Sequence, residues 1–364
     1  MTRKPKYQQV FDAIKEAILS GRYEPGQKLP SEANLLDEFA TSRITIIRAL
    51  RDLQQRGLVQ RRVGSGTYVA DGVRAGASLL FGLLIPNLGE TEIFGPICQG
   101  MAESCQRRNH ALLWGDTTPS EEGKEFQTLE LCRQYVAKKV AGVFFAPLER
   151  TPQNDRINEA AVAVLEEAGI PIVLLDRNFL SYPNGSPYDL VAIDHRRAGF
   201  MATEHLLKLG CKCIAFVAYT QSASTVEARI AGYREALFFW RAPAEPSLVW
   251  RLSADDASDL GHMVAGQEPQ AIVCANDRTA GQVMHTLMER DYRIPNDVRI
   301  VGIDDVQYAS LLPVPLTTVH QPCREIGVAA VVAMLERITS PETPRRDILL
   351  DCKLVVRESC GASL

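Results

Sequence analysis

The sequence contains no run of apolar residues long enough to cross a membrane, and no apolar segment after Met1–Pro5 that would form a secretory signal. Its nine cysteines are an odd number, and none forms the Cys-x-x-Cys pairs typical of metal sites. These absences argue against a membrane-spanning, secreted or disulfide-bonded protein. We therefore expect a cytoplasmic protein whose thiols are reduced.

Signatures of catalysis are absent as well. The six histidines form no His-Glu-x-x-His motif, no Ser/His/Asp set stands out, and no Gly-x-Gly-x-x-Gly or Walker A signature occurs. Gly64 and Gly66 belong to a predicted hairpin rather than to a phosphate-binding loop. The sequence thus predicts no enzymatic activity, no metal and no cofactor.

Charge of one sign is not in large excess, since 40 Lys/Arg stand against 44 Asp/Glu. The distribution is uneven, because residues 1–72 contain 12 Lys/Arg and 8 Asp/Glu. The first part of the chain is therefore mildly basic and the remainder acidic. A mildly basic module is compatible with nucleic-acid binding, where cationic side chains release counterions from phosphates.

The most informative segment that is present, Ala40–Val59, has the pattern of a short amphipathic helix. Thr41 or Ser42 can cap its start, apolar residues follow at helical spacing, and Gly57 can end it. A helix that offers Arg43, Thr45 and backbone N–H groups at its N-terminal end suits the DNA major groove. The alternative, which periodicity leaves open, is an ordinary amphipathic helix with a solvated basic face.

The flanking segments favour DNA binding. Two further amphipathic helices are predicted upstream, one over Tyr7–Ser20 and one after Pro30, where Ser31 is a suitable N-cap. Downstream, two short strand-like runs are separated by Gly64-Ser65-Gly66, the punctuation of a β-hairpin. Three helices followed by an Arg-rich hairpin describe a winged helix-turn-helix domain.

The N-terminal segment also resembles a known family. Leu-Pro-Ser-Glu at 29–32, Ser-Arg-Ile-Thr-Ile-Ile-Arg-Ala-Leu at 42–50 and Arg-Arg-Val-Gly-Ser-Gly-Thr-Tyr-Val at 61–69 resemble the DNA-binding domain of GntR-type transcriptional regulators. The resemblance implies a set of operator contacts: Ser31, Arg43, Thr45, Arg48, Arg61, Arg62, Gly64 and Gly66. Ala33 and Ile47 stand where the family often has Arg, so direct base recognition is expected to depend more on Arg43.

Beyond a linker predicted at 71–78, apolar runs alternate with helical patterns. The apolar runs lie at 79–85, 111–114, 142–145, 171–175, 190–193, 213–217, 271–274 and 299–302. Continuous apolar strands that alternate with helices predict doubly wound parallel sheets, covered on both faces. Because the segment is longer than one compact sheet normally needs, we expect two lobes.

The same segment resembles LacI-type regulators and sugar-binding periplasmic proteins. The resemblance is carried by Phe-Gly-Leu-Leu-Ile-Pro-Asn-Leu at 81–88, Asp-Arg-Asn-Phe at 176–179, Ala-Asn-Asp-Arg-Thr-Ala at 275–280 and Ile-Pro-Asn-Asp-Val-Arg-Ile-Val-Gly-Ile-Asp-Asp at 294–305. It implies a type I periplasmic-binding-protein-like domain over 79–364, with lobe one at about 79–176 and 321–345 and lobe two at about 177–320 and 346–364. A GntR-type domain at 1–70 joined to such a body resembles the arabinose-repressor branch of the GntR family.

By this resemblance, the cleft between the lobes holds a sugar effector. The implied lining residues are Phe94, Asp176, Arg177, Arg229, Asn276, Asp304 and Gln321. Carboxylates, guanidinium groups and amides can pair the hydroxyl groups of a sugar, and an aromatic ring can pack on its face. Alternatives remain open, since Asn276 could cap a following helix, Asp304 could cap a turn, and the arginines could be surface residues or partners of nearby acids. The loop Gly89–Glu92 departs from the family in its acidic residues.

Together these features predict a homodimeric, sugar-responsive transcriptional repressor that binds a palindromic operator in double-stranded DNA, with no membrane partner. A pentose-like effector is favoured by the resemblance of the cleft residues to pentose binders. The alternatives are a regulator that senses a purine or a sugar phosphate, and a DNA-binding protein that senses no ligand.

Overall fold

The computed structural model describes residues 5–19, 22–62, 65–70, 78–85, 92–115, 123–148, 152–180, 184–220, 222–242, 248–252 and 257–362. We refer to residues 5–70 as the head and to residues 78–362 as the body. Gly64, the predicted linker from 71 to 77 and the acidic loop from 89 to 91 lie outside the described residues. No helix within the described ranges is long and apolar enough to cross a membrane.

The head consists of three helices and a two-stranded hairpin. The helices are α1 (Lys6–Leu19), α2 (Glu32–Phe39) and α3 (Arg43–Gln55), and the hairpin strands are β1 (Val59–Arg62) and β2 (Gly66–Val69). Their shared core is built from side chains at helical spacing: Val10, Ile14, Ile18, Leu35, Ile46, Ala49, Leu50 and Leu53. The predicted winged helix-turn-helix is confirmed.

The two short helices of the head begin at hydroxyl caps. The Ser31 hydroxyl accepts a hydrogen bond from the backbone N–H of Asn34 at 3.2 Å, and the Ser42 hydroxyl accepts one from the backbone N–H of Thr45 at 3.4 Å. Between them, Ala40 adopts a left-handed conformation with a φ of 42° and ends α2. These caps fix the N-terminal turn of α3 at the surface of the head.

The body contains two six-stranded sheets. The strands of the first are β3 (Leu80–Leu84), β4 (Ala111–Trp114), β5 (Gly142–Phe145), β6 (Ile172–Leu175), β7 (Asp189–Ile193) and β13 (Asp347–Leu350). The strands of the second are β8 (Ile214–Tyr219), β9 (Val249–Leu252), β10 (Ala271–Cys274), β11 (Arg299–Asp304), β12 (Thr317–His320) and β14 (Lys353–Val355). Their orders are β13-β7-β6-β5-β3-β4 and β14-β12-β11-β10-β8-β9, and β14 alone among them pairs antiparallel.

Helices cover both faces of each sheet, which confirms the predicted doubly wound architecture. On the first sheet, α4 (Phe94–Gln106) and α11 (Cys323–Thr339) pack on one face, and α5 (Gly123–Ala137) and α6 (Pro152–Glu167) on the other. On the second, α7 (His195–Lys208) and α8 (Ser224–Phe239) face α9 (Ala257–Gln267) and α10 (Asp277–Met288) across the strands. A short 3-10 helix, Gln307–Ser310, follows β11.

The predicted lobe boundaries need correction, although the chain does cross between the sheets three times. The first crossing follows Ile193 rather than Asp176, because β7 pairs with β6 in the first sheet. The second lies between His320 and Cys323, close to the predicted position. The third falls between Leu350 and Lys353 rather than at 345, because β13 pairs with β7. Lobe one is therefore built on the first sheet and lobe two on the second.

Glycines set the distance between helices in both lobes. A Cβ on Gly199 or Gly232 would lie far inside van der Waals distance of a backbone oxygen on the partner helix, α8 or α7. Gly100 of α4 and Gly327 of α11 meet each other's helix in the same way. Both lobes thus bring two helices into close backbone contact next to the cleft.

Candidate functional site

Asp176 and Asp304 lie at the carboxyl ends of two central strands, one in each lobe. Asp176 directly follows β6 and Asp304 ends β11. Both adopt positive φ, 66° for Asp176 and 132° for Asp304, a conformation that is costly for residues other than glycine. Because ligands of doubly wound sheets bind outside the carboxyl ends of the strands, these aspartates occupy the expected position.

Asp176 is held by a histidine and an arginine. Its Oδ1 lies 3.3 Å from Nε2 of His195, and its Oδ2 accepts a hydrogen bond from Nη1 of Arg177 at 3.2 Å. Nε of Arg177 donates to the Pro147 carbonyl at 2.7 Å, which fixes the guanidinium plane. The carboxylate is almost fully buried, yet both of its oxygens have partners.

In lobe two, Arg229 is the residue around which the polar contacts of the cleft are arranged. Its Nη2 donates to Oδ1 of Asp304 at 3.1 Å, and its Nη1 donates to the Ala275 carbonyl. Nη2 of Arg229 also lies 3.3 Å from Nδ1 of His195, and the Nε2 of Gln321 donates to Oδ1 of Asp304 at 2.6 Å. A continuous chain of polar contacts therefore runs from Asp176 through His195 and Arg229 to Asp304.

The two aspartates differ in pKa because their surroundings differ. Burial on its own would raise the pKa of Asp176, but the hydrogen bond from His195 and the nearby guanidinium groups of Arg177 and Arg229 lower it to about 2. Burial is the main cause of the raised pKa of Asp304, and the nearby carboxyl groups of Asp277 and Asp176 raise it further. Together they bring this pKa to about 7, although the Arg229 guanidinium lowers it. The cleft thus holds one permanent anion and one carboxyl group that titrates near neutrality.

Asp277 is a fully buried carboxyl group behind this cleft, and burial raises its pKa to about 6. It accepts a hydrogen bond from the Thr318 hydroxyl at 2.5 Å and one from the backbone N–H of Val306 at 3.0 Å. Both partners lie beside Asp304, one on the neighbouring strand and one in the loop that follows it. Asp277 therefore supports the backbone that carries Asp304.

The remaining predicted cleft residues lie in the same region with different surroundings. Gln321 is almost fully buried against Asp304. Phe94 is 1% exposed at the start of α4, and the Arg177 guanidinium lies 5.9 Å above its ring centre. The side chain of Asn276 accepts a hydrogen bond from the backbone N–H of Thr279 at 2.8 Å, so its oxygen acts as the N-cap of α10. The helix-cap alternative for Asn276 thus describes part of its role.

Sequence reasoning missed His195 and Asp277 as members of this cluster. His195 reads as the first residue of a helix after the N-cap Asp194, and Asp277 as a second helix-capping residue. The sequence did contain a signal for His195, because a residue that directly follows a crossing between the lobes lies close to both of them. Within the described ranges, no group of three or more His, Cys, Asp or Glu side chains is arranged to hold a metal ion.

Two hydrogen bonds join the lobes at the edges of the cleft. The Tyr308 hydroxyl, in the 3-10 helix of lobe two, donates to Oε1 of Glu92 in lobe one at 3.0 Å. The Ser224 hydroxyl at the start of α8 donates to the carbonyl of Asn178 at 3.4 Å. The lobes therefore contact each other through these side chains as well as through the buried aspartates.

In the head, several of the side chains expected to contact DNA have partners within the domain. Glu32 forms ion pairs with both Arg43, at 3.4 Å, and Arg61, and so joins α2 to the recognition helix and the wing. Arg48 lies 4.0 Å above the ring centre of Tyr7, and Arg62 lies 4.6 Å above that of Tyr68.

The glycine and hydroxyl residues expected at the DNA surface have local roles. Ser31 caps α2, and Thr45 pairs its hydroxyl with that of Ser42 at 2.9 Å. Gly66 has a φ of 123°, and a Cβ there would meet the Lys28 side chain at 2.8 Å. Its backbone conformation thus favours glycine at the start of β2.

Comparison with known protein families assigns both parts of the chain. Residues 6–69 match the model described as bacterial regulatory proteins, gntR family, and residues 203–360 match a periplasmic binding protein-like domain. The chain thus combines a GntR-type helix-turn-helix domain with a periplasmic binding protein-like domain. The predicted combination is confirmed.

Similar proteins share this GntR-type arrangement or its body. The arabinose metabolism transcriptional repressor of Geobacillus stearothermophilus is 26% identical over 98% of this chain and 97% of its own length. The HTH-type transcriptional repressor PurR of Vibrio atlanticus is 27% identical over 80% of this chain and 84% of its own. A solved complex of the transcriptional regulator CelR with cellobiose has the same fold, with a TM-score of 0.66 at 24% identity over 87% of this chain and 90% of that one.

Proposed function

We propose that the protein is a transcriptional repressor whose head binds operator DNA and whose body binds a small neutral sugar between its lobes. The observation that carries the ligand assignment is the pairing of charges in the cleft. Asp176 is paired with Arg177, and Asp304 with Arg229, each within 3.2 Å. Such a set offers paired acceptors and donors to the hydroxyl groups of a ligand.

This charge balance favours a sugar over a phosphorylated ligand. A phosphate group requires cationic side chains or N–H groups in excess of the carboxylates. Among the described cleft residues, each guanidinium group already has a carboxylate partner. The repressors of arabinose metabolism among the relatives support a pentose in particular.

Calorimetry with the full chain and a panel of pentoses and hexoses tests the ligand. We expect binding of at least one pentose, and its loss in Asp176→Ala, because that change leaves Arg177 buried without its carboxylate. Ribose 5-phosphate and a purine base serve as comparison ligands. Heat from one of these, with none from any sugar, would replace the sugar by that class, and no heat from any of them would favour a protein that senses no ligand.

For the head, we propose that a homodimer places two recognition helices on a palindromic operator. Ligand binding closes the lobes and alters the placement of the heads, and a tenfold change in operator occupancy requires about 1.4 kcal/mol of difference between the two states. The test uses a DNA sequence selected from a randomised pool by the full chain. Arg43→Ala should lose this DNA yet keep the effector, and wild-type affinity with an unchanged salt slope would reject the assignment.

A further inference from the structure

We infer that Ile44 reads a thymine in the bound DNA through the 5-methyl group of that base. The inference rests on the proposed binding of operator DNA by the head. Ile44 is 80% exposed, and it is the one large apolar side chain in the described part of the head that is exposed to this degree. Of the other apolar residues of α3, Ile46, Ala49, Leu50 and Leu53 are buried in the core, and Ile47 is half-buried.

Helix geometry places Ile44 at the centre of the outer face of α3. At 3.6 residues per turn, a residue two positions before Ile46 points away from the core that contains Ile46, Ala49 and Leu50. The residues on either side, Arg43 and Thr45, project to the two flanks of the same turn. Ile44 is therefore the foremost side chain of the N-terminal turn of the recognition helix.

The charges around Ile44 identify its partner as DNA rather than an apolar protein surface. Arg48 and Arg51 continue the outer face of α3 beyond Ile44, and Arg43 borders it. An apolar protein partner that covered Ile44 would also have to bury these guanidinium groups, which is costly without matching carboxylates. A duplex meets both needs at once, since its phosphates pair with the arginines while base edges lie in the groove between them.

Thymine is the base with an apolar group in the major groove. Its 5-methyl group distinguishes it there from cytosine, adenine and guanine, and apolar side chains contact this methyl. Residues at the N-terminal end of a recognition helix are the ones that reach base edges. An isoleucine at this position thus specifies thymine by shape and burial, without a hydrogen bond.

The neighbouring polar residues differ from Ile44 in having partners within the head. Arg43 is paired with Glu32, the Thr45 hydroxyl with Ser42, and Arg48 lies on the ring of Tyr7. Each of these must exchange a contact when it binds a base. Ile44 exchanges only water, so its burial contributes to binding without a compensating loss.

The experiment shortens each side of the contact in turn, by removal of the thymine methyl group and by truncation of the Ile44 side chain. DNA selected by the full chain from a randomised pool is resynthesised with deoxyuridine at one thymine position at a time, which deletes only the 5-methyl group. Fluorescence anisotropy then gives the affinity of wild type, Ile44→Ala and Ile44→Val for each duplex at one salt concentration. Ile44→Val keeps a branched apolar side chain and is the matched control.

We expect one thymine position at which uracil weakens wild-type binding about fourfold, the effect of about 0.8 kcal/mol for one buried methyl group. At that position, uracil should change the affinity of Ile44→Ala less than 1.5-fold, and that of Ile44→Val nearly as much as wild type. Equal sensitivity of wild type and Ile44→Ala at every thymine, or no sensitivity at any, overturns the inference while leaving DNA binding intact. A failure of the pool to yield any enriched sequence overturns the DNA-binding function itself, and the inference with it.

Discussion

The imidazole of His195 lies between Asp176 of lobe one and Arg229 of lobe two, 3.3 Å from the nearest side-chain polar atom of each. Because Nδ1 faces guanidinium N–H groups, it accepts, and Nε2–H therefore donates to Asp176. His195 is also the first residue of α7, immediately after the first crossing between lobes. One ring thus connects the ion pairs of both lobes at a hinge position.

Replacement of His195 by leucine should weaken effector binding tenfold or more. The change removes one of the donors to Asp176 and one of the acceptors for Arg229 in a buried setting, where a lost partner costs about 1–3 kcal/mol. Calorimetry with a pentose that binds the wild type in the panel measures the loss. His195→Gln, which keeps a donor and an acceptor at similar reach, should retain more of the affinity than the leucine variant, and equal losses in the two would argue against the bridging role.

Effector affinity should rise as the pH rises from 6 to 8. The pKa of Asp304 is raised to about 7, so in the free protein this carboxyl group is largely protonated at pH 6 and ionised at pH 8. A sugar hydroxyl that donates to the carboxylate selects the ionised form. The apparent affinity then falls about tenfold at pH 6, because roughly one molecule in ten is competent there. Asp176, with a pKa of about 2, stays ionised throughout.

The matched control for this pH effect is Asp304→Asn. Its affinity should be lower at pH 8, because the amide lacks the charge, and should depend on pH between 6 and 8 much less than that of the wild type. A slope in the variant equal to that of wild type would assign the titration to another group. Binding to DNA in the absence of effector, measured over the same pH range, serves as the check on folding.

Glu32→Gln should strengthen non-specific DNA binding and steepen its dependence on salt. Glu32 pairs with both Arg43 and Arg61, so its neutralisation releases two guanidinium groups and removes a negative charge from the DNA-facing surface. Each released arginine that neutralises a phosphate adds about 0.9 to the slope of log affinity against log salt. Anisotropy with random-sequence DNA over a salt series measures it. An unchanged slope would mean that both arginines already leave Glu32 when DNA binds.

Gly232→Ala should destabilise the body by about 1–3 kcal/mol or more, because the added Cβ would force α7 and α8 apart. Gly95→Ala is the matched control, since it also lies in a helix and its Cβ would meet nothing within 4 Å. The control should be neutral or slightly stabilising, as alanine is the better helix former. Urea denaturation monitored by circular dichroism compares the two. Similar stabilities would show that the helices can separate at little cost.

Most strands of the body were predictable because they are continuous apolar runs bounded by turns. Each of the eight predicted runs coincides with a strand, from β3 to β11, but β9, β12, β13 and β14 were not identified. The two strands β13 and β14 have an alternating or half-buried pattern at the edges of their sheets, which gives a weaker signal.

The lobe to which each strand belongs was harder to predict from the sequence than the strand itself. β7 is as apolar as β6 or β8, and parallel strands of either sheet have the same composition, so its pairing with β6 depends on contacts distant in sequence. For the same reason the crossing at Ile193 was placed too early. The role of His195 was missed for the same reason, because its position near both aspartates becomes evident only when the crossing is placed correctly.

The interleaving of β13 and β14 has a consequence for how such proteins can be recombined. Because β13 completes the first sheet and β14 the second, neither lobe corresponds to a continuous stretch of the gene. The head, by contrast, is encoded by one uninterrupted segment with its own core. A gene fusion can therefore exchange the head in a single event, whereas the body must be inherited whole. New combinations of head and body are thus readily formed, and new combinations of lobes are rare.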